Sequence, residues 1–371
     1  MNTELFQGRR VLVTGHTGFK GAWLTLWLHE LGAEVHGFAL APDMEPNLFA
    51  EARVKELLAS DTIGDVRDIA AIGDCVRSCQ PEVIFHLAAQ PLVRKSYREP
   101  TATWETNVMG TVNVLEAVRQ AQCVHVCQVI TSDKCYENSG QVCAFRETDP
   151  MGGHDPYSSS KGAAELAVAA WRKSFFPPDR IDKHGVSLSS VRSGNVIGGG
   201  DWAEDRIIPD CVRALAQANP IPVRNPNAIR PWQHVLEPLS GYLALTAHQW
   251  TEPDAYADSY NFGPLPSGNV TVGRVVDLVV RAWGSGSWEH NSAGSESRGR
   301  LHEASFLKLD ITKATTLLEW SPVFSTEEAV SETIAWYLQR HIEQNSFDAR
   351  AACRRQIAEY SARQTTFTPI S

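Results

Sequence analysis

Tyr157 and Lys161 stand four residues apart in the segment DPYSSSKGAAE, and on a helix that spacing puts both on one face. A phenol near its ordinary pKa of about 10 is a poor base at neutral pH. A neighbouring ammonium favours the phenolate, so the lysine would make the tyrosine usable for taking a proton from a hydroxyl. A further hydroxyl lies elsewhere. The apolar run from Val124 to Thr131 ends in Thr131-Ser132-Asp133-Lys134, and in open parallel sheets ligands gather beyond the carboxyl ends of the strands. Ser132 there could hydrogen-bond a substrate hydroxyl as it becomes a carbonyl. Gly15, Gly18 and Gly21 follow the run Val11-Leu12-Val13-Thr14 directly. Small residues at that spacing permit a tight turn, let backbone approach a pyrophosphate and let the following helix pack closely. The helix start then offers N–H groups and partial positive charge to phosphate. Tyr-x3-Lys alone is common on solvated helix faces. Joined to a glycine loop and Ser132, it describes a dehydrogenation site, with Lys161 also able to hold the ribose of a nicotinamide.

The elements that must position these groups alternate. Apolar runs at Val11–Thr14, Glu34–Leu40, Val83–Ala88, Val124–Thr131 and Val186–Arg192 read as strands. Ala22–Leu31 and Thr103–Gln120 read as helices. Apolar strands in β-α-β order imply a doubly wound parallel α/β sheet, Rossmann-like, covered on both faces. Beyond residue 195 glycines and prolines, Pro209, Pro220, Pro222, Pro226 and Pro231 among them, break the pattern. That half reads as a smaller, less regular α/β substrate domain. The expected division is 1–194 for the dinucleotide, with a return segment near 230–261, and 195–229 plus 262–371 for the substrate. The last dozen residues read as a tail or surface strap.

Composition narrows the function. The 371 residues carry 34 Lys and Arg against 43 Asp and Glu, a net charge of −9, which argues against nucleic-acid binding. Every apolar stretch is interrupted before membrane-spanning length. No basic leader precedes an apolar core at the N-terminus, so a cytoplasmic location is expected. The eight cysteines then read as free thiols. Their two C-x3-C pairs lack knuckle spacing and matching histidines, so no metal is expected.

The chain resembles the extended short-chain dehydrogenase/reductase family over nearly its whole length. The likeness rests on Val11-Leu12-Val13-Thr14-Gly15, His86-Leu87-Ala88-Ala89, Asn107, Tyr157/Lys161 and Arg192-Ser193-Gly194-Asn195-Val196. Within it, Ser132-Asp133-Lys134-Cys135-Tyr136, Gly15-His16-Thr17-Gly18-Phe19-Lys20-Gly21, Gly198-Gly199-Gly200-Asp201-Trp202 and Arg230-Pro231-Trp232-Gln233-His234-Val235 are similar to the nucleotide-sugar 4,6-dehydratases that act on CDP-glucose. Dehydratases of dTDP-glucose or GDP-mannose, and the 4-epimerases, are the alternatives. The epimerases usually carry small residues where Asp133 and Lys134 stand.

The resemblance implies NAD, held by Gly15, Thr17, Gly18, Phe19, Lys20, Gly21, Asp65, Val66, Leu87, Ala88, Ala89, Asn107, Tyr157 and Lys161. Phe38-Ala39-Leu40-Ala41 offers neither the ribose-binding acid nor an arginine for a 2′-phosphate, which leaves NAD over NADP a modest preference. It implies catalysis by Ser132, Asp133, Lys134, Tyr157 and Lys161. Tyr157 would be the base for C4 oxidation and Asp133 the acid for the leaving C6 hydroxyl. Lys134 would be the C5 base or an enolate stabiliser. Burial would raise the aspartate and lower the lysine, while their attraction would do the opposite. Arg206 and Arg230, with Asn195, would clamp the substrate diphosphate. Arg94 and Lys95 could line the sugar site, Trp202 and Trp232 could shelter the base, and Arg192 reads as structural. Similar enzymes pair through the helices at Thr103–Gln120 and Tyr157–Lys173, so a homodimer is expected, a tetramer remaining open.

Overall fold

A computed structural model of the chain describes residues 3–140, 143–290 and 307–366. Its centre is a seven-stranded parallel sheet. The strands are β1 Arg10–Thr14, β2 Glu34–Ala39, β3 Ser60–Ile63, β4 Val83–His86, β5 Val126–Ile130, β6 Ser187–Ser193 and a last strand, Ser259–Phe262. Their spatial order is β3-β2-β1-β4-β5-β6 followed by Ser259–Phe262. Chain order reverses between β1 and β4, the switch point where a doubly wound sheet opens a crevice for ligand. Val11, Leu12 and Val13 of β1 and Val83, Ile84 and Phe85 of β4 are fully buried, as strands covered on both faces must be.

Helices Phe19–Glu30, Ile69–Cys79, Gly110–Gln120 and Pro156–Ser174 connect the strands. The first starts three residues before the expected Ala22, because Gly18 and not a later residue ends the loop. The expected helix from Thr103 is the run Pro100–Gln120 with a π-helical turn at Glu105–Met109. β3 escapes the sequence because Ser60-Asp61-Thr62-Ile63 is only half-buried and has no apolar run.

The second half is more regular than its prolines suggest. Helices Ile207–Ala216, Leu236–Thr251, Val272–Trp283, Thr326–Glu343 and Ala349–Thr366 dominate it. Pro209 sits in a helix first turn, where its missing N–H costs nothing. Pro222 and Pro231 lie in small accessory sheets. One of these orders Asn269–Thr271, Ile229–His234 and Asn195–Ile197; the other pairs Trp288–His290 with Ile221–Val223.

The expected tail is corrected as far as it is described. Helix Ala349–Thr366 carries Tyr360 fully buried, its hydroxyl donating to Glu237 Oε2 at 2.6 Å. Residues 367–371 lie outside the described residues. One hydrophobic cluster runs from Val11 and Trp23 through Leu239 and Tyr242 to Trp336 and Tyr360, so both halves share a core.

Candidate active site

The glycine loop is shaped by close approach. Gly15 has φ +76°, and a Cβ there would lie 2.7 Å from the backbone nitrogen of Ala88. At Gly21 a Cβ would fall 2.1 Å from the carbonyl oxygen of Gly15. No side chain caps the helix that follows at Gly18, so its first N–H groups are available to an anion. A dinucleotide pyrophosphate fits this cradle. Leu87 N–H donates to Thr14 O at 3.1 Å, and Ala88 N–H to Thr14 Oγ1 at 3.3 Å, which holds the end of β4 against the loop; half-buried Ala89 follows them.

The remaining glycine-loop residues divide. Thr17 Oγ1 donates to Leu40 O at 2.9 Å, tying the loop to the end of β2. Phe19 packs towards Gly198. Asp65 and Val66 lie past β3, away from the reaction centre. Asp65 is paired with Arg67, Nε to Oδ2 at 2.8 Å, and that guanidinium holds its carboxyl below the usual range. Val66 is buried, and its carbonyl accepts from Asn113 at 2.9 Å. A cavity of about 650 Å³ beside the end of β2 is lined by Pro42, Asp43, Met44, Asn47, Arg53 and Lys55.

Lys20 does not stay with the phosphate cradle. Its Nζ donates to Ser193 Oγ at 2.9 Å and to Tyr242 Oη at 3.1 Å. Burial pushes it down to about 7, Arg206 pushes the same way, and Asp133 opposes. The glycine-loop spacing could not show this, because Lys20 crosses to β6 through a contact 173 positions away in the chain.

The reaction centre forms at the ends of β5 and β6. Ser132 Oγ donates to Asp133 Oδ1 at 3.1 Å and accepts from Lys134 N at 3.2 Å. Asp133 is 2% exposed, and among the described residues its Oδ2 has no hydrogen-bond partner. Burial raises its pKa; Lys134, the Ser132 hydroxyl, Arg230 and Lys20 resist. The opposition expected between desolvation and Lys134 is therefore present at Asp133, and desolvation prevails.

Tyr157 occupies the first turn of helix Pro156–Ser174. Asp155 caps that turn, accepting from Tyr157 N at 3.0 Å and Ser158 N at 3.0 Å. Lys161 follows one turn later and donates to Ile130 O at 3.3 Å.

Burial pushes Tyr157 up to about 12, and the groups that favour its phenolate are the Ser132 hydroxyl, hydrogen-bonded to it, and Arg206. Lys161 is itself lowered to about 8 by burial and by Lys20. Its ammonium donates to the Ile130 carbonyl, and a second cation close by disfavours its charged form.

Asn107 lies in the π-turn, 1% exposed. It accepts from Gln90 N at 2.8 Å, donates to Gln90 O at 3.1 Å and to Ser160 Oγ at 2.9 Å. The bend lets one amide join the loop after β4 to the catalytic helix beside Lys161. Behind the site, Arg192 and Glu165 form an ion pair at 2.7 Å, both nearly inaccessible. Arg192 also donates to Tyr136 Oη at 2.6 Å, so it is structural, as its strand position suggests.

Arg206 Nη1 meets Asp201 Oδ2 at 2.8 Å and acts electrostatically on Tyr157 and Lys20. Arg230 donates to Ile229 O at 2.9 Å and acts on Asp133. Arg94 and Arg224 both pair with Asp205, at 3.4 and 3.1 Å. Asn195, half-buried, opens its short strand in register with Trp232. Sequence reasoning missed Arg224, Asp201 and Ser193; Asp201 and Ser193 stood in quoted motifs, but their partners are remote in the chain. Trp232 is core at 4% exposure, and Trp202 packs on Tyr337 under Arg340.

Comparison with known proteins agrees with this geometry. The family model described as GDP-mannose 4,6 dehydratase matches residues 12–333. A protein of Salmonella typhimurium named CDP-glucose 4,6-dehydratase is 48% identical, over 91% of this chain and 92% of its own length. A dTDP-glucose 4,6-dehydratase of Xanthomonas campestris is 24% identical over 88% of this chain and 92% of its own. Among solved structures, dTDP-glucose 4,6-dehydratase of Bacillus anthracis, a complex with NAD, superposes with TM-score 0.72 at 21% identity, over 89% of this chain and 96% of that one. With a match over most of its length and the Tyr157/Lys161 helix set against the end of β5, the chain belongs to the GDP-mannose 4,6 dehydratase family, a branch of the extended short-chain dehydrogenase/reductases.

Proposed function

We propose that this chain catalyses the NAD-dependent 4,6-dehydration of CDP-D-glucose to CDP-4-keto-6-deoxy-D-glucose, as a hydro-lyase. The observation that carries the reading is the buried Asp133 carboxyl, with its open Oδ2 and a hydrogen bond from Ser132, acting on the Tyr157 phenol beside it. A simple dehydrogenase or epimerase has no use for an acid there, whereas loss of the C6 hydroxyl requires one. The 48% identical relative bears the corresponding name.

Bound at the glycine loop, the nicotinamide would accept the C4 hydride and return it to C6. The chain supplies the rest. Ser132 and Tyr157 hold the O4 hydroxyl, and Lys161 with Asn107 organises the ribose side. The 4-ketone acidifies C5–H, which Lys134 removes or whose enolate it stabilises. Asp133 protonates the departing C6 oxygen, as burial prepares it to do. Arg206, Arg230 and Asn195 bind the diphosphate. Gly15, Thr17, Gly18, Phe19, Gly21, Asp65, Val66, Leu87, Ala88 and Ala89 complete the cofactor side. In this reading the dinucleotide part is 1–194 with the return segment, since helix Leu236–Thr251 packs on the sheet through Gln128, whose Nε2 donates to Tyr242 O at 3.0 Å. A homodimer is supported by exposed Trp104, Met109 and Leu166 on the two helices expected to pair. Among the described residues no helix is long and apolar enough to cross a membrane, in keeping with a cytoplasmic enzyme.

Offering CDP-, dTDP-, GDP- and UDP-glucose and GDP-mannose in parallel tests the reading. A 4-keto-6-deoxy product from CDP-glucose, with no net change in nicotinamide absorbance, is the expected result. Turnover of another nucleotide sugar alone would refute it.

A further inference from the structure

A hydride that leaves C4 and returns to C6 never requires the dinucleotide to leave. Reduced cofactor lost between the two steps would abandon the 4-ketone half-way. A chain with this chemistry gains from keeping its cofactor, and the fold offers a way to do so. In doubly wound sheets the adenosine ribose of a dinucleotide is held at the end of the second strand. Here residues 42–56, between β2 and β3, line the cavity at that place. They also meet the glycine loop. Phe49 stands edge-on to His16, ring centroids 5.4 Å apart. Asp61 accepts from His16 Nε2 at 2.8 Å and pairs with Lys55 Nζ at 3.4 Å. The regular structure in this segment is one helical turn at Leu48–Glu51 and a 3-10 turn at Val54–Leu57. A helix so short does not persist by itself, so other parts of the chain must fix its place.

Two arginines of the C-terminal helices do this. Arg340, in the last turn of Thr326–Glu343, donates from Nε to Glu51 Oε1 at 2.7 Å, and its guanidinium lies 4.6 Å over the Trp202 ring. Arg350, in the first turn of Ala349–Thr366, donates from Nε to Ala52 O at 2.8 Å, to Arg53 O, and to Glu56 Oε2 at 2.8 Å. Those carbonyls end the Leu48–Glu51 turn. Ala52 is its C-cap, and Arg53 follows in the left-handed region at φ +49°. Carbonyls at a helix end have no partner within the helix. Arg350, 17% exposed, supplies one from 297 positions along the chain. The same helix lies against a second wall of the cofactor site. Tyr360 stands edge-on to Trp27 at 5.7 Å, and Arg354 pairs with Glu30 at 2.8 Å, both on the helix Phe19–Glu30 that opens at the glycine loop. Arg340 and Arg350 both lie beyond residue 333, where the family match ends.

Resting on the dehydratase reading for its purpose, we infer that the helices Thr326–Glu343 and Ala349–Thr366 form a cofactor brace, in which Arg340 and Arg350 hold residues 42–56 against the glycine loop and so set how slowly the dinucleotide leaves. Both arginines act through that segment and are positioning residues. Release must part the segment from the loop. The arginine bonds oppose this opening, so their loss shows in dissociation more than in association.

Enzyme loaded with NADH is mixed with excess NAD in a stopped-flow fluorimeter, and the loss of energy transfer from tryptophan to NADH reports release. Arg350→Ala should release NADH roughly 10-fold faster, the worth of about one charge-assisted hydrogen bond. Arg340→Ala and Glu51→Gln should change release in the same direction, so the test survives misfolding of any one variant. Arg363→Ala cuts a bond to Glu328 at 2.8 Å near the far end of the same helix. It should leave release unchanged, because that bond does not reach the cofactor side. A helix that merely stabilised the fold would show in melting temperature alone, which is measured beside release for each variant. Release as slow as in the unaltered enzyme from Arg350→Ala and Glu51→Gln would overturn the brace, as would equal acceleration by Arg363→Ala. Slow NADH release from an unaltered enzyme that forms no 4-keto-6-deoxy product would refute the dehydratase reading and leave the brace standing.

Discussion

Replacing Lys20 by methionine should stabilise this protein, and most of all in acid. The lysine is half-buried beside Arg206 and Lys161, and its pKa falls from 10.5 to about 7. At about 1.36 kcal/mol per unit, that depression corresponds to a ceiling on the order of 4–5 kcal/mol for burying the charged form. The substitution also removes hydrogen bonds to Ser193 and Tyr242, worth roughly 1 kcal/mol each. Those two hydroxyls remain bonded to each other at 3.2 Å, so neither is orphaned. The net expectation is a gain of roughly 2–3 kcal/mol. Its sign with pH follows from proton uptake. Between about pH 7 and pH 10.5 the unfolded chain binds the proton and the folded one does not, so this lysine makes stability rise with pH. Below about pH 7 both forms are protonated and the penalty is complete. Lys20→Met should therefore raise the urea midpoint most below about pH 7, with the advantage shrinking as pH rises towards 10. Tryptophan fluorescence at matched protein concentration measures it. A pH-independent difference, or a lower midpoint at about pH 6, would refute the account of a strained buried ammonium.

Tyr157→Phe should slow C4 oxidation roughly 10²–10⁴-fold while NAD is retained, and single-turnover nicotinamide absorbance beside cofactor quantitation reads both. Asp133→Asn should accumulate reduced nicotinamide and the 4-ketose, because water loss slows by a similar factor; equal loss of both steps would remove its special place in the second. Arg230→Ala should raise the KM for CDP-glucose roughly 10–100-fold, the worth of one charge-assisted hydrogen bond, with a smaller change in kcat. Glu165→Gln leaves Arg192 buried without its anion, a cost of roughly 3–5 kcal/mol in unfolding free energy.

Much of this protein is written in local pattern. The strands at Val11, Val83 and Val126 are short apolar runs because a two-sided sheet buries both faces, and Asp155-Pro156 marks a helix start because a carboxylate caps and a proline needs no N–H there. The glycine spacing, Ser132 and Tyr-x3-Lys were legible for the same reason: each depends on neighbours a few positions away. What lay beyond the sequence depends on contacts between distant segments. β3 is half-buried and becomes a strand only by pairing with β2. Helix Ala349–Thr366 starts on the Asp348 cap, but only the fold buries Tyr360 against Glu237. Lys20 leaves the phosphate loop for Ser193, and Arg206, far along the chain, acts on Tyr157. Backbone geometry and binary pattern act over short range, so sequence alone determined which groups exist and on which elements. Electrostatics and desolvation act through space, so only the folded arrangement decided which of those groups carry a proton.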